Sequence, residues 1–140
     1  RAVIPTIISQ CLTQDVVRLG SLTPTRDLNY VANTVEGFIA SAEAADAVGR
    51  TVNVGSGQEI SIGELAEMII RLVGRDVRVE CQDERLRPGK SEVERLLADN
   101  TLAKQLLDWS PGVTFEEGIQ RTIDWFEHNV TRYRADVYTV

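Results

Sequence analysis

The side chains in this sequence that are best suited to bind a charged ligand are arginines close to prolines. Arg26 follows the turn Thr23-Pro24-Thr25 and precedes a short apolar segment. Its guanidinium is planar and permanently charged, and its fork of N–H donors matches phosphate oxygens. Because proline stiffens the chain before it, Arg26 should be held in place, which suits an oxyanion ligand. The alternative is an ordinary surface ion pair with Asp27 or another nearby carboxylate.

A second basic segment, residues 85–90, contains Arg85 and the Arg-Pro step at Arg87. Two separated, stiffened arginines could bind one diphosphate between them. The net charge is −6, with fifteen basic residues against twenty-one acidic ones and no long basic stripe. This balance argues against a general nucleic-acid binder, so an anionic ligand must be bound by local charges.

Catalytic and metal-binding patterns are absent from the sequence. His128 falls on the polar side of the last predicted helix, where a solvated role is expected. Cys11 and Cys81 are too far apart for a metal or redox motif, so we expect two reduced packing residues. The glycine-rich turn at residues 55–57 lacks the third glycine of a dinucleotide fingerprint, so it is expected only to turn the chain toward Ser61.

The length of 140 residues, 43% of them hydrophobic, predicts a single domain over residues 1–140. No run approaches the roughly 18 apolar residues of a membrane helix, and no signal-peptide pattern opens the chain, so we expect a cytoplasmic protein without membrane contact. The chain begins at Arg1, and its only methionine is Met68. We therefore expect an internal piece of a longer protein.

The elements that must position the arginines are helices alternating with short strands, an α/β or α+β arrangement. Apolar periodicity predicts a helix with Pro5 in its first turn, and short β-branched or apolar runs predict strands at residues 16–19, 28–31, 51–54 and 77–81. Residues 51–54 are apolar enough for an added strand of a parallel sheet. Capping boxes at Ser61/Glu64 and Thr114/Glu117 predict two further helices. A short helix is predicted after Asp99, and Trp109, which follows that helix, is expected to be buried in the core.

One more helix is predicted after residue 30. Asn33 or Thr34 would cap it, and its inward face would consist of Val35, Phe38, Ile39 and Ala42.

Four segments in this order carry a resemblance: Arg1-Ala2-Val3-Ile4-Pro5, Pro24-Thr25-Arg26-Asp27-Leu28-Asn29-Tyr30-Val31, Asn53-Val54-Gly55-Ser56-Gly57, and Arg87-Pro88 with Ser91-Glu92-Val93. Together they resemble the C-terminal part of extended short-chain dehydrogenase/reductases that act on nucleotide sugars. Ile60-Ser61-Ile62-Gly63 and Arg85-Leu86-Arg87-Pro88 are most similar to the NAD-dependent 4,6-dehydratases of the legionaminic-acid pathway, which act on a GDP-linked N-acetylglucosamine.

The resemblance implies an α/β fold that is the substrate-binding portion of an extended Rossmann enzyme, with the Rossmann core largely outside this chain. It implies a homodimeric parent whose N-terminal domain binds NAD and carries the catalytic serine or threonine, tyrosine and lysine. Tyr30 and Tyr133 lack a lysine four residues later, and Tyr138 has no such position. No catalytic residue is therefore assigned to this chain, which should be inactive alone.

Matched residue by residue, the resemblance implies that Arg26 and Arg87 contact the nucleotide diphosphate, although Arg85 could rival Arg87. Val17 and Leu19 would lie on the strand whose backbone runs beside the base, and Ala2 and Val3 would lie in the substrate loop near the ribose. Asn33 stands where the family usually has aspartate, and it is expected to cap a helix. The parent would be a 4,6-dehydratase, with 4-epimerisation, decarboxylation or a non-catalytic binding module as alternatives.

Overall fold

A computed structural model describes residues 2–86 and 92–132. Within these residues the helices are α1 (Val3–Thr13), α2 (Val31–Glu43), α3 (Ile62–Val73), α4 (Thr101–Leu107) and α5 (Phe115–Asn129), with short 3₁₀ segments at Ala45–Ala47, Asp83–Arg85 and Val130–Arg132. The strands are β1 (Val16–Leu19), β2 (Thr25–Arg26), β3 (Ile60–Ser61), β4 (Arg78–Cys81) and β5 (Arg95–Leu96). None of the described helices is both long and apolar enough to cross a bilayer.

The chain forms two compact units. The first unit comprises residues 1–24, 61–94 and 119–140, and the second comprises residues 25–60 and 95–118. The prediction of a single substrate-binding region over residues 1–140 stays a prediction, and these two units lie within that region.

The first unit is built on a parallel pair of strands. β1 pairs with β4, with Val17 opposite Val79, and α1 packs against both β1 and α3. Apolar side chains from these elements and from α5 form its buried interior: Ile7, Ile8, Cys11, Val17, Leu19, Leu65, Ala66, Ile69, Val77, Ile119, Ile123 and Phe126. The predicted α/β class is confirmed, and so are the predicted strands at residues 16–19 and 77–81.

The ends of α3 follow from local sequence. The Ser61 hydroxyl accepts a hydrogen bond from Glu64 N at 3.1 Å, and Glu64 Oε2 accepts one from Ser61 N at 2.9 Å. These bonds satisfy two otherwise free N–H groups at the start of the helix. The Ser61 hydroxyl also donates to Glu64 Oε2 at 2.7 Å, and this bond, followed by the one from Ser61 N, lowers the pKa of Glu64. Gly74 ends the helix at φ 71°, a left-handed conformation that glycine adopts without steric cost. The predicted capping box is confirmed.

The second unit contains β2 and β5, which pair in parallel, with Thr25 opposite Arg95 and Arg26 opposite Leu96. The strand order in this sheet is β3-β2-β5. Trp109 is buried here as predicted, in a cluster with Ala103 and Leu107 from α4. Partly buried residues pack against that cluster: Ala40, Ala44, Ala47, Val52, Val54 and Leu106.

Helix α2 differs from its prediction in start and orientation. Tyr30, not Asn33 or Thr34, occupies the N-cap position. Val35, Phe38, Ile39 and Ala42 are exposed, and the buried residues of α2 are Asn33 and Gly37. The physical reason is close packing at Gly37, where an added Cβ would overlap the Val54 side chain. Only glycine allows that approach, so the small-residue face of α2 turns inward.

Two predicted strands are wrong. Residues 51–54 form no strand, because Val52 and Val54 pack as an irregular segment against the α4 cluster. The strand predicted at residues 28–31 lies earlier, at Thr25–Arg26, where the backbone finds β5 as its partner. Apolar β-branched runs bury their side chains in either conformation, so composition alone did not separate strand from packed loop.

Candidate functional site

Arg26 lies on β2, in the second unit. Its Nη1 donates a hydrogen bond of 2.7 Å to Thr25 O, and the residue is partly buried. That bond ties the guanidinium to the strand that carries it. The guanidinium is therefore held close to its own strand, which directly follows the buried Pro24.

Asp27, the next residue, organises the surrounding loops. Its Oδ1 accepts hydrogen bonds from Ser56 N at 2.9 Å and from the Ser56 hydroxyl at 2.6 Å. Its Oδ2 accepts from Gly57 N at 2.9 Å and from Ala98 N at 3.3 Å. One carboxylate thus joins β2 to the turn at residues 55–57 and to the segment after β5. From the sequence, Asp27 was predicted only as a possible ion-pair partner of Arg26, so this crosslink was not foreseen.

The turn at residues 55–57 does not present its backbone to a phosphate. Consecutive N–H groups in a glycine-rich turn form a natural anion site, and here the anion is the Asp27 carboxylate. Gly55 permits this closeness, because a Cβ there would overlap the Ala98 side chain. Asn100 Nδ2 closes the turn by donating to Gly55 O at 3.1 Å. The turn therefore does not fit the pyrophosphate of NAD.

A charged cluster lies on the same sheet. Arg95 Nη2 and Nε donate to Glu59 Oε1 at 2.6 and 2.9 Å, and the Thr25 hydroxyl donates to Glu59 Oε2 at 2.6 Å. The hydrogen bonds from Arg95, and then the one from Thr25, lower the pKa of Glu59 to about 2 and keep it ionised. The Arg95 charge is balanced by Glu59. Neither Glu59 nor Arg95 was predicted as a site residue.

The buried Asn33 forms a second crosslink within this unit. Its Nδ2 donates to Val113 O at 2.9 Å, and its Oδ1 accepts from Val113 N at 2.9 Å. Nδ2 also donates to Asn29 Oδ1 at 3.1 Å. The expectation that Asn33 caps a helix is wrong, because its donor and acceptor are both engaged with the segment before α5.

The predicted base-side residues, Val17 and Leu19, have buried side chains in the first unit. A ligand could reach them only through the backbone. Part of that backbone is engaged, since Leu19 O accepts from Gln82 N at 2.8 Å. The buried Gln10 amide also accepts from Arg18 N at 2.8 Å and donates to Arg18 O at 3.4 Å. Their ligand role stays a prediction.

Val3 was predicted to lie in a loop near the ribose. In the structure Val3 is the first residue of α1, partly buried, and Ala2 is the N-cap in an extended conformation. The position therefore marks the junction of an extended residue and a helix. Its proposed contact with substrate stays a prediction.

The second arginine of the predicted clamp, Arg87, lies outside the described residues. Its rival Arg85 belongs to the first unit, where it ends the 3₁₀ segment and donates from Nε to Gln82 Oε1 at 2.8 Å. The predicted pairing of Arg26 with a second arginine stays a prediction.

Of the remaining reactive side chains, His128 and Cys11 match their predictions, whereas the exposed Cys81 is not the packing residue that was predicted. His128 is exposed, with Nδ1 2.7 Å from Asp124 O. Cys11 is buried, and burial raises the pKa of its thiol to about 11 against a smaller lowering effect of Arg75, whereas Cys81 is exposed. Across residues 2–86 and 92–132, no group of three or more histidine, cysteine or carboxylate side chains could hold a metal ion.

Comparisons with known proteins identify the family to which this chain belongs. The model of the family described as GDP-mannose 4,6 dehydratase matches residues 1–122. UDP-glucuronate 4-epimerase of Thermodesulfobacterium geofontis is 34% identical over 112 residues, which are 79% of this chain and 33% of the relative. UDP-N-acetyl-alpha-D-glucosaminuronate decarboxylase of Bacillus cytotoxicus is 33% identical over 127 residues, which are 89% of this chain and 39% of the relative.

A solved structure has the same fold. UDP-glucuronic acid 4-epimerase from Bacillus cereus, in complex with UDP-glucuronic acid and NAD, superposes with a TM-score of 0.81 at 25% identity, over 91% of this chain and 40% of the neighbour. The chain thus spans roughly a third to two fifths of the proteins it matches. The family model covers most of the chain, which therefore belongs to the GDP-mannose 4,6-dehydratase family of NAD-dependent nucleotide-sugar epimerases and dehydratases.

Proposed function

We propose that this chain is the nucleotide-sugar-binding part of an NAD-dependent nucleotide-sugar enzyme, and that Arg26 binds the diphosphate. The observation that carries the proposal is the setting of Arg26: its strand is paired with β5, and the adjacent Asp27 carboxylate crosslinks two loops. A guanidinium held on such a rigid base loses little conformational entropy when it binds a phosphate.

A second arginine would complete the diphosphate clamp. Arg87 is the proposed partner, with Arg85 as the rival. Two guanidinium groups would balance the charge of a diphosphate within a chain whose net charge is −6. Substituting Arg85 and Arg87 separately decides between them, because only the clamp residue should weaken binding when it is removed.

NAD would be bound by the part of the parent outside this chain. The glycine-rich turn at residues 55–57 does not fit a dinucleotide, since Asp27 occupies its N–H groups. NAD supplies hydride transfer when it is bound. The residues of this chain would orient the nucleotide end of the substrate and take no part in the proton or hydride steps.

The proposed reaction is 4,6-dehydration of a nucleotide sugar, with GDP-N-acetylglucosamine as the first substrate to test. The family model that matches residues 1–122 supports this choice. The second candidates are 4-epimerisation and decarboxylation, which the two curated relatives carry out. Product analysis of the full-length protein with GDP-N-acetylglucosamine and with UDP-glucuronate distinguishes them, because the products differ in mass or configuration. A full-length protein without a catalytic tyrosine would instead indicate a non-catalytic binding module.

The binding role of Arg26 is tested by calorimetry on the full-length protein. We expect Arg26→Ala to weaken nucleotide-sugar binding by about 1.5–3 kcal/mol, since charged hydrogen bonds contribute that much, or roughly tenfold to 150-fold in Kd. Arg26→Lys keeps the charge without the fork and should restore only part of the affinity. Arg50→Ala, which removes an exposed arginine elsewhere in the second unit, is the matched control. Equal affinity of Arg26→Ala and Arg50→Ala would refute the role of Arg26.

A further inference from the structure

The two edges of the sheet in the first unit differ in how they are covered. At the β1 edge, the buried Gln10 side chain accepts a hydrogen bond from Arg18 N at 2.8 Å and donates one to Arg18 O at 3.4 Å. A side chain of α1 therefore takes the place that a further strand would occupy beside β1. Native proteins cover sheet edges because the unpaired N–H and C=O groups there can pair with another chain.

The outer edge of β4 is open in the part of the chain that the structure describes. Within that part, β1 is the only strand paired with β4. Arg78 N donates to Asp15 O at 3.1 Å, so the even-numbered residues of β4 direct their backbone groups toward the β1 side. Because these directions alternate along a strand, the backbone groups of Val79 and Cys81 are directed toward the open edge.

The side chains of β4 make this edge complementary to itself. Arg78 and Glu80 are both exposed, and their spacing of two places them on one face of the strand. An antiparallel copy of β4 centred on Val79 would place each Arg78 opposite a Glu80. A copy centred on Arg78 or on Glu80 would instead place two like charges opposite each other, which is destabilising. The charges therefore select one register.

We propose that the outer edge of β4 joins two copies of this chain, so that β1 and β4 of both copies form one four-stranded sheet. Charge complementarity favours a second copy as the partner, because the twofold axis forms the pair of opposite charges twice. Glu80 is held only loosely within its own chain, since its carboxylate lies 4.0 Å from Arg18 Nε. An edge with both charges does not repel its own copy, whereas an edge with charges of one sign does.

The shortness of β4 limits the strength of this contact. The strand has four residues, and an edge of that length buries far less than the roughly 1,000 Å² of a stable interface between chains. We therefore expect a transient dimer with a Kd of about 0.1–1 mM. Because the charge pairs are exposed, 1 M salt should raise this Kd severalfold.

Complementary charge variants test the pairing by sedimentation equilibrium at concentrations near the Kd. Arg78→Glu makes both charges of the edge acidic and Glu80→Arg makes both basic, so each variant alone should self-associate at least tenfold more weakly than the unsubstituted chain. An equimolar mixture should recover dimers, because each glutamate then faces an arginine. A role in folding alone would give no recovery on mixing. Arg50→Glu, at an exposed position in the second unit, is the control and should associate like the unsubstituted chain.

Amide NMR signals locate the contact within the chain. The N–H signals of Val79 and Cys81 should shift as the protein concentration rises, whereas that of Arg18, which donates to Gln10, should shift little. Glu80→Lys takes the place of Glu80→Arg in the mixture if the latter loses its circular dichroism spectrum.

Four results would overturn the proposal. The first is an unsubstituted chain that stays monomeric up to millimolar concentrations, and the second is equal self-association of Arg78→Glu and the unsubstituted chain. The third is a mixture of the acidic and basic variants that forms no dimer. The fourth is a dimer that leaves the Val79 and Cys81 signals in place, which would assign the association to another surface.

Discussion

At the scale of single residues, the chemistry of Arg26 depends on its neighbour. An arginine beside a proline turn suggests an anion site from sequence, but the loops around it are held by the Asp27 carboxylate. Asp27 also occupies the backbone N–H groups that would otherwise make the 55–57 turn a phosphate site. One acidic side chain therefore supports the arginine and removes a competing anion site.

Replacing Asp27 with asparagine should destabilise the second unit. Each Asp27 oxygen accepts two hydrogen bonds, and an amide can accept on only one side, so two donors lose their acceptor. We expect Asp27→Asn to lower the free energy of unfolding by about 1.5–3 kcal/mol, measured by urea denaturation. Asp46→Asn, an exposed acid-to-amide change in the same unit, should stay within about 0.5 kcal/mol. Equal urea midpoints for the two variants would contradict the role of Asp27.

The residues that sequence analysis missed share one property. The partners of Asp27 lie 29 to 71 residues away, and Glu59 meets Arg95 across 36 residues. Sequence reasoning recognises Arg26 because a proline turn is local. It had no comparable signal for contacts that exist only after distant segments are paired, although a lone glycine-rich turn is a reason to look for an internal carboxylate.

At the scale of elements, features that depend on local sequence were predicted correctly, whereas features that depend on tertiary packing were not. The capping box and closing glycine of α3 lie within a few residues of each other, and the prediction of that helix was confirmed. For α2 the helical periodicity was correct, but the larger apolar face was assigned to the interior. Which face is buried was decided by the contact between Gly37 and Val54, a packing relation that hydrophobicity does not encode.

Asn33 provides a sharp test of how α2 is fixed. The introduced carboxylate in Asn33→Asp could still accept from Val113 N, but it would face two acceptors, Val113 O and Asn29 Oδ1. We expect a loss of about 1–3 kcal/mol in the free energy of unfolding at neutral pH. Burial next to acceptors raises the pKa of the introduced carboxyl, so the loss should shrink in acid, where the protonated group can donate.

Urea denaturation at two pH values measures this effect. Gln105→Glu makes the same amide-to-carboxylate change at an exposed position of α4 and should stay within about 0.5 kcal/mol. If Asn33→Asp matched that control at neutral pH, the donor of Asn33 would not contribute to holding the segment before α5.

At the scale of the whole molecule, the order of the helices was predictable, but the pairing of the strands and the division into two units were not. Chain segments alternate between the units, so that residues 61–94 return to the first unit after the second has begun. Hydrophobic patterns report which residues are buried and not with which partners. The parallel pairing of β1 with β4 and of β2 with β5 joins segments separated by more than 55 residues, and no local motif specifies it.

The loss of stability in acid can be measured for carboxyl groups of both units in one experiment. The pKa is lowered for Glu64 in the first unit and for Glu59 and Asp99 in the second, with Thr101 as the main cause for Asp99. A carboxyl whose pKa falls on folding contributes stability that is complete above its unfolded pKa and is lost as pH falls through its folded pKa. For Glu59 that window runs from 4.5 to about 2.

The urea midpoint should therefore decline across this window. Glu59→Gln should make the decline shallower, and Glu67→Gln, exposed on α3, should leave it unchanged. Because the Glu59–Arg95 pair lies at the surface, 1 M salt should reduce the difference between Glu59→Gln and the parent chain. Parallel declines of Glu59→Gln and the parent chain at low salt would show that this ion pair does not contribute to acid stability.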